Sequence, residues 1–499
     1  MADTKREIER KYEADGSGLP DLTGVGPVAA VLDRGVVELD ATYYDTADER
    51  LAAASLTLRR RTGGADAGWH LKFPVAPGVR DEIRAPLGDT VPEEIAALVR
   101  SRVRDRALVP LVRLRSARDV RHLVDANGTL LAEASLDTVT AERLTGPGAT
   151  ARWTEIEVEL ADGGDPALLD RLEKRLRAAG LRPSASPSKL ARALAQTAPD
   201  RPAEPAVPAA PETAGDHVLA YLRAQRDALV ALDPAVRRGI PDSVHRMRVA
   251  TRRARGTLRT FTGLLDRAVT GPVGAELKWL AGELGVDRDQ EVLADRLTTA
   301  LDALPPALVT GPVRERLTAW AEARHGAHAH LTGVLDSHRY LALLDALDAL
   351  LADPPLRAAA GRKPKKALAR AVRKDGRKLT ALMEHALALP PGEERDRALH
   401  EARKKAKRTR YAAEAATEAL GAPARSLTKA MKGLTTLLGD HQDGVMARRA
   451  LRELAAVAHA AGESAFTHGL LYGREESRAA RLEAELAERW KKAGTVLSR

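Results

Sequence analysis

A proline-rich stretch near the middle of the chain divides it into two parts of different character. Residues 198–215 contain five prolines at near-regular spacing. Neither a helix interior nor a central strand tolerates this pattern, because proline fixes φ and lacks a backbone N–H donor. We therefore predict an extended linker over 198–215, with one domain at 1–197 and a second at 216–499.

The two parts differ in charge as well as in pattern. Residues 1–200 carry 29 Lys and Arg against 32 Asp and Glu, whereas residues 201–499 carry 50 against 37. The absence of cysteine excludes disulfides and thiolate metal sites. No apolar run approaches the ~20 residues that a membrane span needs, so we expect a cytoplasmic protein without a membrane partner. The positive excess after residue 200 favours a polyanion as partner.

Before the linker, short alternating segments separated by turn residues predict an antiparallel β-rich domain. The segment 7–11, Glu-Ile-Glu-Arg-Lys, places both glutamates and the lysine on one face of a strand. The segment 155–159, Glu-Ile-Glu-Val-Glu, places three carboxylates on one face in the same way. A solvated face explains either strand alone, but the whole set favours a closed barrel with a polar lumen.

Basic strands lie between these two acidic segments. Arg59 and Arg61 share a face, as do His70 and Lys72. A lumen lined by both signs of charge suits a metal–triphosphate complex. Guanidinium and ammonium groups bind the phosphate oxygens in such a complex, while carboxylates bind the cation.

The N-terminal part resembles the CYTH superfamily of triphosphate tunnel metalloenzymes over roughly residues 1–196. The resemblance rests on the ExExK segment 7–11 together with Tyr-Tyr-Asp-Thr at 43–46, Leu-Arg-Arg-Arg at 58–61, Arg-Asp-Glu at 80–82, the segment 155–159, and Ser-Lys-Leu at 188–190. It implies an eight-stranded antiparallel β tunnel with flanking helices. It also implies hydrolysis of a linear triphosphate with Mg²⁺ or Mn²⁺.

The same resemblance implies a role for each matched residue. The metal-binding carboxylates are Glu7, Glu9, Glu157 and Glu159. The phosphate ligands are Lys11, Arg59, Arg61, Lys72, Arg80, Arg118 and Lys189. Further catalytic acids, which orient the basic residues or a metal-bound water, are Glu82, Glu133 and Asp137. Because the domain is poor in aromatic residues that would hold a nucleobase, we expect inorganic triphosphate as the substrate.

After the linker, a 3.6-residue periodicity in a sequence rich in Ala, Leu, Arg and Glu predicts an all-α domain. The pattern His-x-x-Arg-x-x-x-Arg at 245–252 recurs as His-x-x-Arg-x-x-x-Lys at 400–407, an offset of 155. Leu-Gly at 284–285 recurs at 438–439. The domain is therefore a duplication. Each copy places its basic side chains on one helix face, which favours either an anionic partner or a solvated basic face.

These repeated helices resemble the CHAD domain over about 216–499. The resemblance implies two pseudo-symmetric four-helix bundles that bind inorganic polyphosphate. The candidate ligands are His245, Arg248, Arg252, Arg253, Arg255, His400, Arg403, Lys404, Lys407, Arg408 and Arg410. Nucleic acid is the less favoured polyanion, because few aromatic side chains are present for base stacking.

Two functions are compatible with this organisation. The first is a metal-dependent triphosphatase of the multidomain α+β class, whose helical domain binds polyphosphate and associates it with polyphosphate granules. The second is a non-catalytic polyphosphate-binding adaptor, in which the tunnel binds a phosphate chain without turning it over. The presence of all four expected metal carboxylates favours the first.

Overall fold

A computed structural model of the chain describes residues 3–14, 16, 18–146, 148–197, 210–322 and 327–497, without the side chains of 286–289, 291 and 327–329. The chain divides into two compact units, Met1–Pro208 and Ala209–Arg499. Most of the predicted linker, residues 198–209, lies outside the described residues.

In the first unit, the described residues form nine strands of one antiparallel sheet. Eight of them close into a barrel in the order β1-β5-β4-β3-β2-β6-β7-β8, and the short β9 pairs with β1. The strands are β1 (Asp3–Glu13), β2 (Ala30–Asp45), β3 (Thr57–Thr62), β4 (Gly68–Ala76), β5 (Val79–Ala85), β6 (Val109–Val124), β7 (Leu130–Arg143), β8 (Thr150–Leu160) and β9 (Arg182–Pro183).

The first strand closes the barrel by pairing with a different neighbour along each half. Residues 3–8 of β1 pair with β5, and residues 9–13 pair with β8. The change of partner occurs where the backbone N–H of Glu9 donates to the carbonyl of Gly78, at 2.9 Å. Gly78 has φ +71°, and a Cβ there would lie 2.7 Å from the Glu9 carbonyl oxygen. A glycine is therefore required at this closure point.

Apolar side chains of the barrel face outwards, where four helices of the first unit cover them. The helices are α1 (Arg50–Ala53), α2 (Glu93–Val103), α3 (Ala167–Ala178) and α4 (Lys189–Thr197). Ile156 and Val158 of β8 belong to the cluster under α3, while Leu71 and Ile83 belong to the cluster under α2. Because strand residues alternate between faces, the charged residues between them point into the lumen.

The second unit is all-helical in its described residues. Its helices are α5 (Ala214–Arg237), α6 (Ser243–Thr260), α7 (Arg267–Glu283), α8 (Val286–Asp302), α9 (Val313–Glu322), α10 (Ala327–Asp336), α11 (His338–Ala352), α12 (Pro364–Ala388), α13 (Glu393–Ala415), α14 (Thr417–Leu420), α15 (Ala422–Ala460) and α16 (Phe466–Leu497). Single 3₁₀ turns lie at Pro306–Leu308 and Ala358–Gly361.

The duplication is visible in how the helices pack. Helices α6 and α13, which carry the two basic patterns, lie against each other. At their contact, a Cβ on Gly256 would lie 3.3 Å from the Tyr411 ring, and these two residues are separated by the repeat offset of 155. Equivalent positions of the two copies therefore meet where α6 and α13 contact each other.

These elements confirm the predicted fold class: an antiparallel eight-stranded barrel with flanking helices, followed by an all-α domain built from two related halves. In the described residues the helices of the two halves are not divided in the same way. Helices α7 and α8 of the first half are separated at Leu284 and Gly285, whereas the corresponding part of the second half is the single helix α15. None of the described helices is long and apolar enough to cross a membrane.

Candidate functional site

The barrel encloses a cavity of about 540 Å³ whose lining is predominantly ionic. In the described part of the chain, ten lysines and arginines and six carboxylates line it. It brings together all the residues that the sequence assigned to metal and phosphate, and Glu133 as well. Glu82 and Asp137 are fully buried, so they act on the lumen through the side chains that contact them.

One group of three acids on the barrel wall is paired with cationic side chains. Oxygen atoms of Asp137, Glu155 and Glu157 lie within 4.8 Å of one another. The Lys189 ammonium, from the first residue of α4, lies 2.8, 2.7 and 2.5 Å from them respectively. Arg118 donates to Asp137 and to Glu157, in each case at 2.7 Å. This trio of acids therefore holds basic residues in place.

The pKa values of this group follow from those contacts. Burial raises the pKa of Glu157, but Lys11, Lys189 and Arg118 outweigh it and hold that pKa well below its usual range. Burial lowers the pKa of Lys189, and the neighbouring carboxylates outweigh it and raise that pKa. Both groups are therefore charged at neutral pH.

A second group of acids lies where β1 meets β5 and β8. Glu9 faces Glu159 directly across the β1–β8 pair, and Lys11 faces Glu157. Each carboxylate has a lysine partner. Lys72 lies 2.5 Å from Glu7, and Lys5 lies 2.7 Å from Glu159. Lys11 lies 3.1 Å from Glu9 and also contacts Glu157. Opposite charges therefore alternate along this wall of the lumen.

The pKa values of the two acids on β1, Glu7 and Glu9, shift in opposite directions. Burial, together with the Glu82 and Glu159 carboxylates, raises the pKa of Glu7. At Glu9 burial also raises the pKa, but Lys11, Lys72 and Lys189 outweigh it and lower the pKa. A group whose acids repel each other in this way is suited to a further cation.

The donor set fits Mg²⁺ or Mn²⁺. Glu7, Glu9, Glu157 and Glu159 supply only carboxylate oxygens, from the adjacent strands β1 and β8, and hard divalent cations prefer such ligands. A cation there would displace the lysine ammonium groups from these carboxylates. The displaced ammonium groups would then be available for phosphate oxygens.

Glu82 is the centre of a buried network on β3, β4 and β5. Its oxygens lie 2.8 Å from His70 Nδ1 and 2.5 Å from Arg84 Nε, with Lys72 at 3.5 Å and Arg59 at 3.7 Å. Burial lowers the pKa of His70 to about 4. Hydrogen bonds and nearby cations outweigh the burial of Glu82 and lower its pKa. Glu82 therefore holds basic side chains of neighbouring strands in place, among them the predicted phosphate ligands Arg59 and Lys72.

Glu133 differs from the other two predicted catalytic acids. Its side chain is 39% exposed and lies 3.6 Å from His122 Nε2, the nearest ion-pair contact in the described part of the chain. It also lines the lumen directly. Of Glu82, Glu133 and Asp137, it is therefore the one with room for a water molecule beside it.

The sequence assignment missed several residues of the site. Lys5, Arg84 and Glu155 each lie two positions from an assigned residue on the same strand, so the alternation that identified their neighbours would also have identified them. His70 could have been assigned in the same way. Asp66, which contacts Arg61 from the β3–β4 turn, carries no such signal.

In the helical domain, one group of predicted ligands gathers around Lys407. Burial, and then the positive charges of Arg403, Arg252, Arg410 and Arg248, lower the pKa of Lys407 to about 7. These residues come from α6 and α13, so the two copies of the basic pattern meet. We call Arg248, Arg252, Arg403, Lys407 and Arg410 the Lys407 cluster.

The repeated Leu-Gly element supports this cluster in both halves. A Cβ on Gly285 would lie 2.6 Å from Arg248 Nη2, and a Cβ on Gly439 would lie 3.3 Å from Arg403 Nη2. Arg248 and Arg403 are equivalent residues of the repeat. The glycines therefore leave the space that the two guanidinium groups occupy. Burial raises the pKa of Asp443, on the same helix as Gly439, and the nearby positive charges of Arg403 and Lys407 only partly oppose this rise.

The remaining predicted ligands are placed differently. Arg253 donates to Glu414 at 2.9 Å, Arg408 to Asp375 at 2.6 Å, and Lys404 to Glu401 at 2.7 Å on the surface. Arg255 lies with Arg408 in a separate pocket. His245 is exposed and His400 is half-buried, where burial and then Lys404 lower its pKa.

A closed antiparallel barrel with an ionic lumen, followed by a duplicated helical domain with a basic face, defines the class of protein to which the chain belongs. Within that class, a model of the CYTH domain matches residues 5–194 and a model of the CHAD domain matches residues 220–452. The chain belongs to the family of proteins in which a CYTH domain precedes a CHAD domain.

The chain is similar to two proteins over nearly its whole length and to solved structures over about half of it. Two uncharacterized proteins from two strains of Mycobacterium tuberculosis are each 41% identical, over 96% of this chain and 94% of their own length. Among solved structures, PptA from Streptomyces chartreusis is 24% identical over 56% of this chain and all of its own, with a TM-score of 0.47. The CHAD domain from the plant Ricinus communis is 26% identical over 56% of this chain and 91% of its own, with a TM-score of 0.43.

Proposed function

We propose that the barrel is a metal-dependent phosphohydrolase that cleaves a linear triphosphate, with inorganic tripolyphosphate as its substrate. The observation that carries this proposal is the lumen: in the described part of the chain, ten lysines and arginines and six carboxylates line one enclosed cavity. Cationic side chains on all sides match a chain of phosphates, and interspersed carboxylates match the metal that accompanies it.

Each class of residue has a separate task in this proposal. Lys11, Lys72 and Lys189 with the four predicted arginines hold the phosphate oxygens and keep the chain extended for in-line attack. Asp137 and Glu82 position those cations. Glu133 orients the attacking water. Glu7, Glu9, Glu157 and Glu159 would hold Mg²⁺ or Mn²⁺, which supplies charge neutralisation at the phosphate oxygens.

The lining also supports the choice of an inorganic substrate. Among the described residues that line the lumen, Tyr43 is the only Phe, Tyr or Trp, and its side chain is buried. A nucleobase or a thiamine ring is usually held by stacking on an exposed aromatic surface, which these residues do not supply.

The test is phosphate release from tripolyphosphate by the full chain. We expect release that requires Mg²⁺ or Mn²⁺ and is lost in the Glu7→Ala/Glu9→Ala variant. The matched control is Arg6→Ala, on the same strand but bonded to Asp81 at 2.8 Å with an exposed side chain. A panel of ATP, thiamine triphosphate and triphosphate-ended RNA establishes the preference. Faster turnover of any of these than of tripolyphosphate would contradict the substrate assignment.

We also propose that the helical domain binds inorganic polyphosphate. The Lys407 cluster supports this, because basic side chains from both copies of the pattern lie close enough together for the arginines to lower the pKa of Lys407, and such a concentration of positive charge attracts a polyanion. The full chain should retain long-chain polyphosphate at moderate salt. Retention should fall in the His245→Ala/Arg248→Ala/Arg252→Ala variant. Tighter binding of RNA than of polyphosphate at matched phosphate concentration would refute this assignment.

The alternative, a non-catalytic adaptor that takes the chain to polyphosphate granules, also has an observation in its favour. All four predicted metal carboxylates already contact lysine or arginine side chains. In that case tripolyphosphate would bind to the barrel without release of phosphate, whichever divalent cation is present. Calorimetry run beside the release assay separates the two functions.

A further inference from the structure

The two copies of the basic pattern differ at one position of the charged helix face. With the offset of 155, positions 245, 248, 252, 255 and 259 correspond to 400, 403, 407, 410 and 414. The first four positions are basic or histidine in both copies. The fifth is Arg259 in the first copy and Glu414 in the second. The basic face that α6 and α13 form together therefore has an Arg259 end and a Glu414 end, which differ in charge.

At the Glu414 end, the carboxylate neutralises its surroundings. Glu414 accepts from Arg253 Nε at 2.9 Å and from the Tyr221 hydroxyl at 3.1 Å, and it lies 3.3 Å from Arg410 Nε. The two arginines also lie over the Tyr411 ring, at 5.9 and 5.0 Å from its centroid. The cations at this end therefore have both a carboxylate and an aromatic face as partners.

At the Arg259 end, the side chains instead surround an open pocket of about 480 Å³ between α6, α7, α12 and α13. Seven cationic side chains line it: Arg255, Arg259, Arg267, Lys278, Lys374, Lys378 and Arg408. The hydroxyl-bearing residues Thr260, Thr262 and Thr270 line it as well. We call this cavity the Arg259 pocket.

A single carboxylate, that of Asp375, lines the Arg259 pocket in the part of the chain that the structure describes. It is 4% exposed and already bonded. Its oxygens accept from the Thr260 hydroxyl at 2.6 Å and from Arg408 at 2.6 and 2.9 Å, and they also contact Lys405. Asp375 thus neutralises Arg408 and Lys405. The other cationic side chains that line the pocket face the cavity.

The pocket also has space that side chains do not fill. Gly271 and Gly274 of α7 line it, and a Cβ on either would meet no atom within 4 Å. Burial, and then the guanidinium groups of Arg259 and Arg408, lower the pKa of Arg255, which shows how closely these cations are held. Like charges brought together around open space favour an anion of high charge density.

We propose that the Arg259 pocket binds the terminal phosphate of a polyphosphate chain, so that the helical domain holds the chain in one direction. This rests on the proposed function of the domain. A terminal phosphate carries more negative charge than an internal one, because its second ionisation lies near pH 6. The terminal phosphate of the polyphosphate is therefore bound most strongly at the site that the most cations surround. The Lys407 cluster binds internal phosphates, whereas Arg253 and Arg410 at the other end are paired with Glu414.

The test compares two polyphosphates of equal length, one with free ends and one whose terminal phosphates are blocked as phosphoramidates. Binding is measured to the full chain in EDTA, so that the barrel does not hydrolyse the probe. We expect the wild type to prefer free ends by about tenfold or more. Arg259→Glu, which gives the first copy the residue of the second, should lose this preference.

A steric variant tests the pocket without changing its charge. Gly274→Gln would fill the cavity from α7, and it should also remove the preference for free ends. Gly282→Gln is the matched control, because Gly282 is an exposed glycine of the same helix with no atom within 4 Å of a Cβ. Glutamine favours a helix more than glycine does, so Gly274→Gln and Gly282→Gln should both fold. Unfolding temperatures check this.

Three outcomes would overturn the inference. They are equal binding of free and blocked chains by the wild type, a preference that survives in Gly274→Gln, or displacement of the chain from the pocket by an equal phosphate concentration of single-stranded RNA. A wild type that binds no polyphosphate of either kind would remove the proposed function of the domain itself, so the two failures are distinguishable.

Discussion

Replacement of Lys407 by arginine should abolish the pH dependence of polyphosphate binding between about pH 7.5 and about pH 9. Burial and four neighbouring arginines lower the pKa of Lys407 to about 7, whereas the guanidinium of an arginine does not titrate in this range. A bound phosphate chain offsets the repulsion and raises the lysine pKa, so binding above pH 7 takes up a proton. The affinity of the wild type should therefore fall as the pH rises.

The expected magnitude follows from the titration of this one proton. Each pH unit above the pKa of the empty site costs about 1.4 kcal/mol, or about tenfold in affinity, until the pKa of the complex is reached. The change from pH 7.5 to pH 9 is then on the order of 30-fold for the wild type, and flat for Lys407→Arg. Binding of long-chain polyphosphate, followed by fluorescence anisotropy at constant ionic strength, measures both slopes.

Two features of this design make the outcome decisive. The pKa of His400 is lowered by burial and by Lys404, so this histidine is neutral across the range, and internal phosphates do not titrate in it. Equal slopes for the wild type and Lys407→Arg would refute the assignment of the proton to Lys407. A flat wild-type profile would show that no group of the binding site takes up a proton.

Three further predictions concern individual contacts. Gly433→Ala, within α15, should stabilise the helix by about 0.5–1 kcal/mol in urea unfolding and leave polyphosphate binding unchanged. Gly439→Ala, in the same helix, should stabilise it less and should weaken polyphosphate binding, because its Cβ would lie 3.3 Å from Arg403 Nη2. Glu157→Gln should lower the free energy of unfolding by about 3–5 kcal/mol, because buried cations lose their carboxylate. As the Glu157 pKa is lowered, its contribution is complete above about pH 4.3, and the difference from wild type should shrink as the pH falls below that value. Asp45→Ala should cost about 3 kcal/mol or more by the same unfolding assay, since three backbone N–H donors at 2.7–2.8 Å lose their acceptor.

Strand alternation made the lumen of the barrel predictable from the sequence. A charged residue on a strand that is apolar at every other position has only two places to point, and helices cover the outside. This is why Glu7 and Glu9 could be placed on one strand face and Glu157 and Glu159 on another, while their role as metal ligands rested on the resemblance to the CYTH superfamily. The duplication was similarly visible, because the nearly equal offsets of two separate patterns, 155 and 154, constrain which helices correspond.

The pairing of charges within the lumen was not predictable. Lys189 is separated by more than thirty positions from Glu155 and Glu157, yet its ammonium lies within 2.7 Å of each. No local pattern relates the start of α4 to a strand on the barrel wall. The same applies to Asp66, which reaches Arg61 from a turn, and to Asp375, which neutralises Arg408 from a neighbouring helix.

The sequence by itself determined the division at the prolines, the charged lumen, the duplication, and the reversal of charge between the copies at Arg259 and Glu414. All of these follow from periodicity and backbone stereochemistry, which act over short stretches of chain. Only the tertiary structure decided which cations are neutralised and which face open space. That outcome depends on contacts between distant segments, whose partners are set by packing around the cores and not by any local preference of the chain.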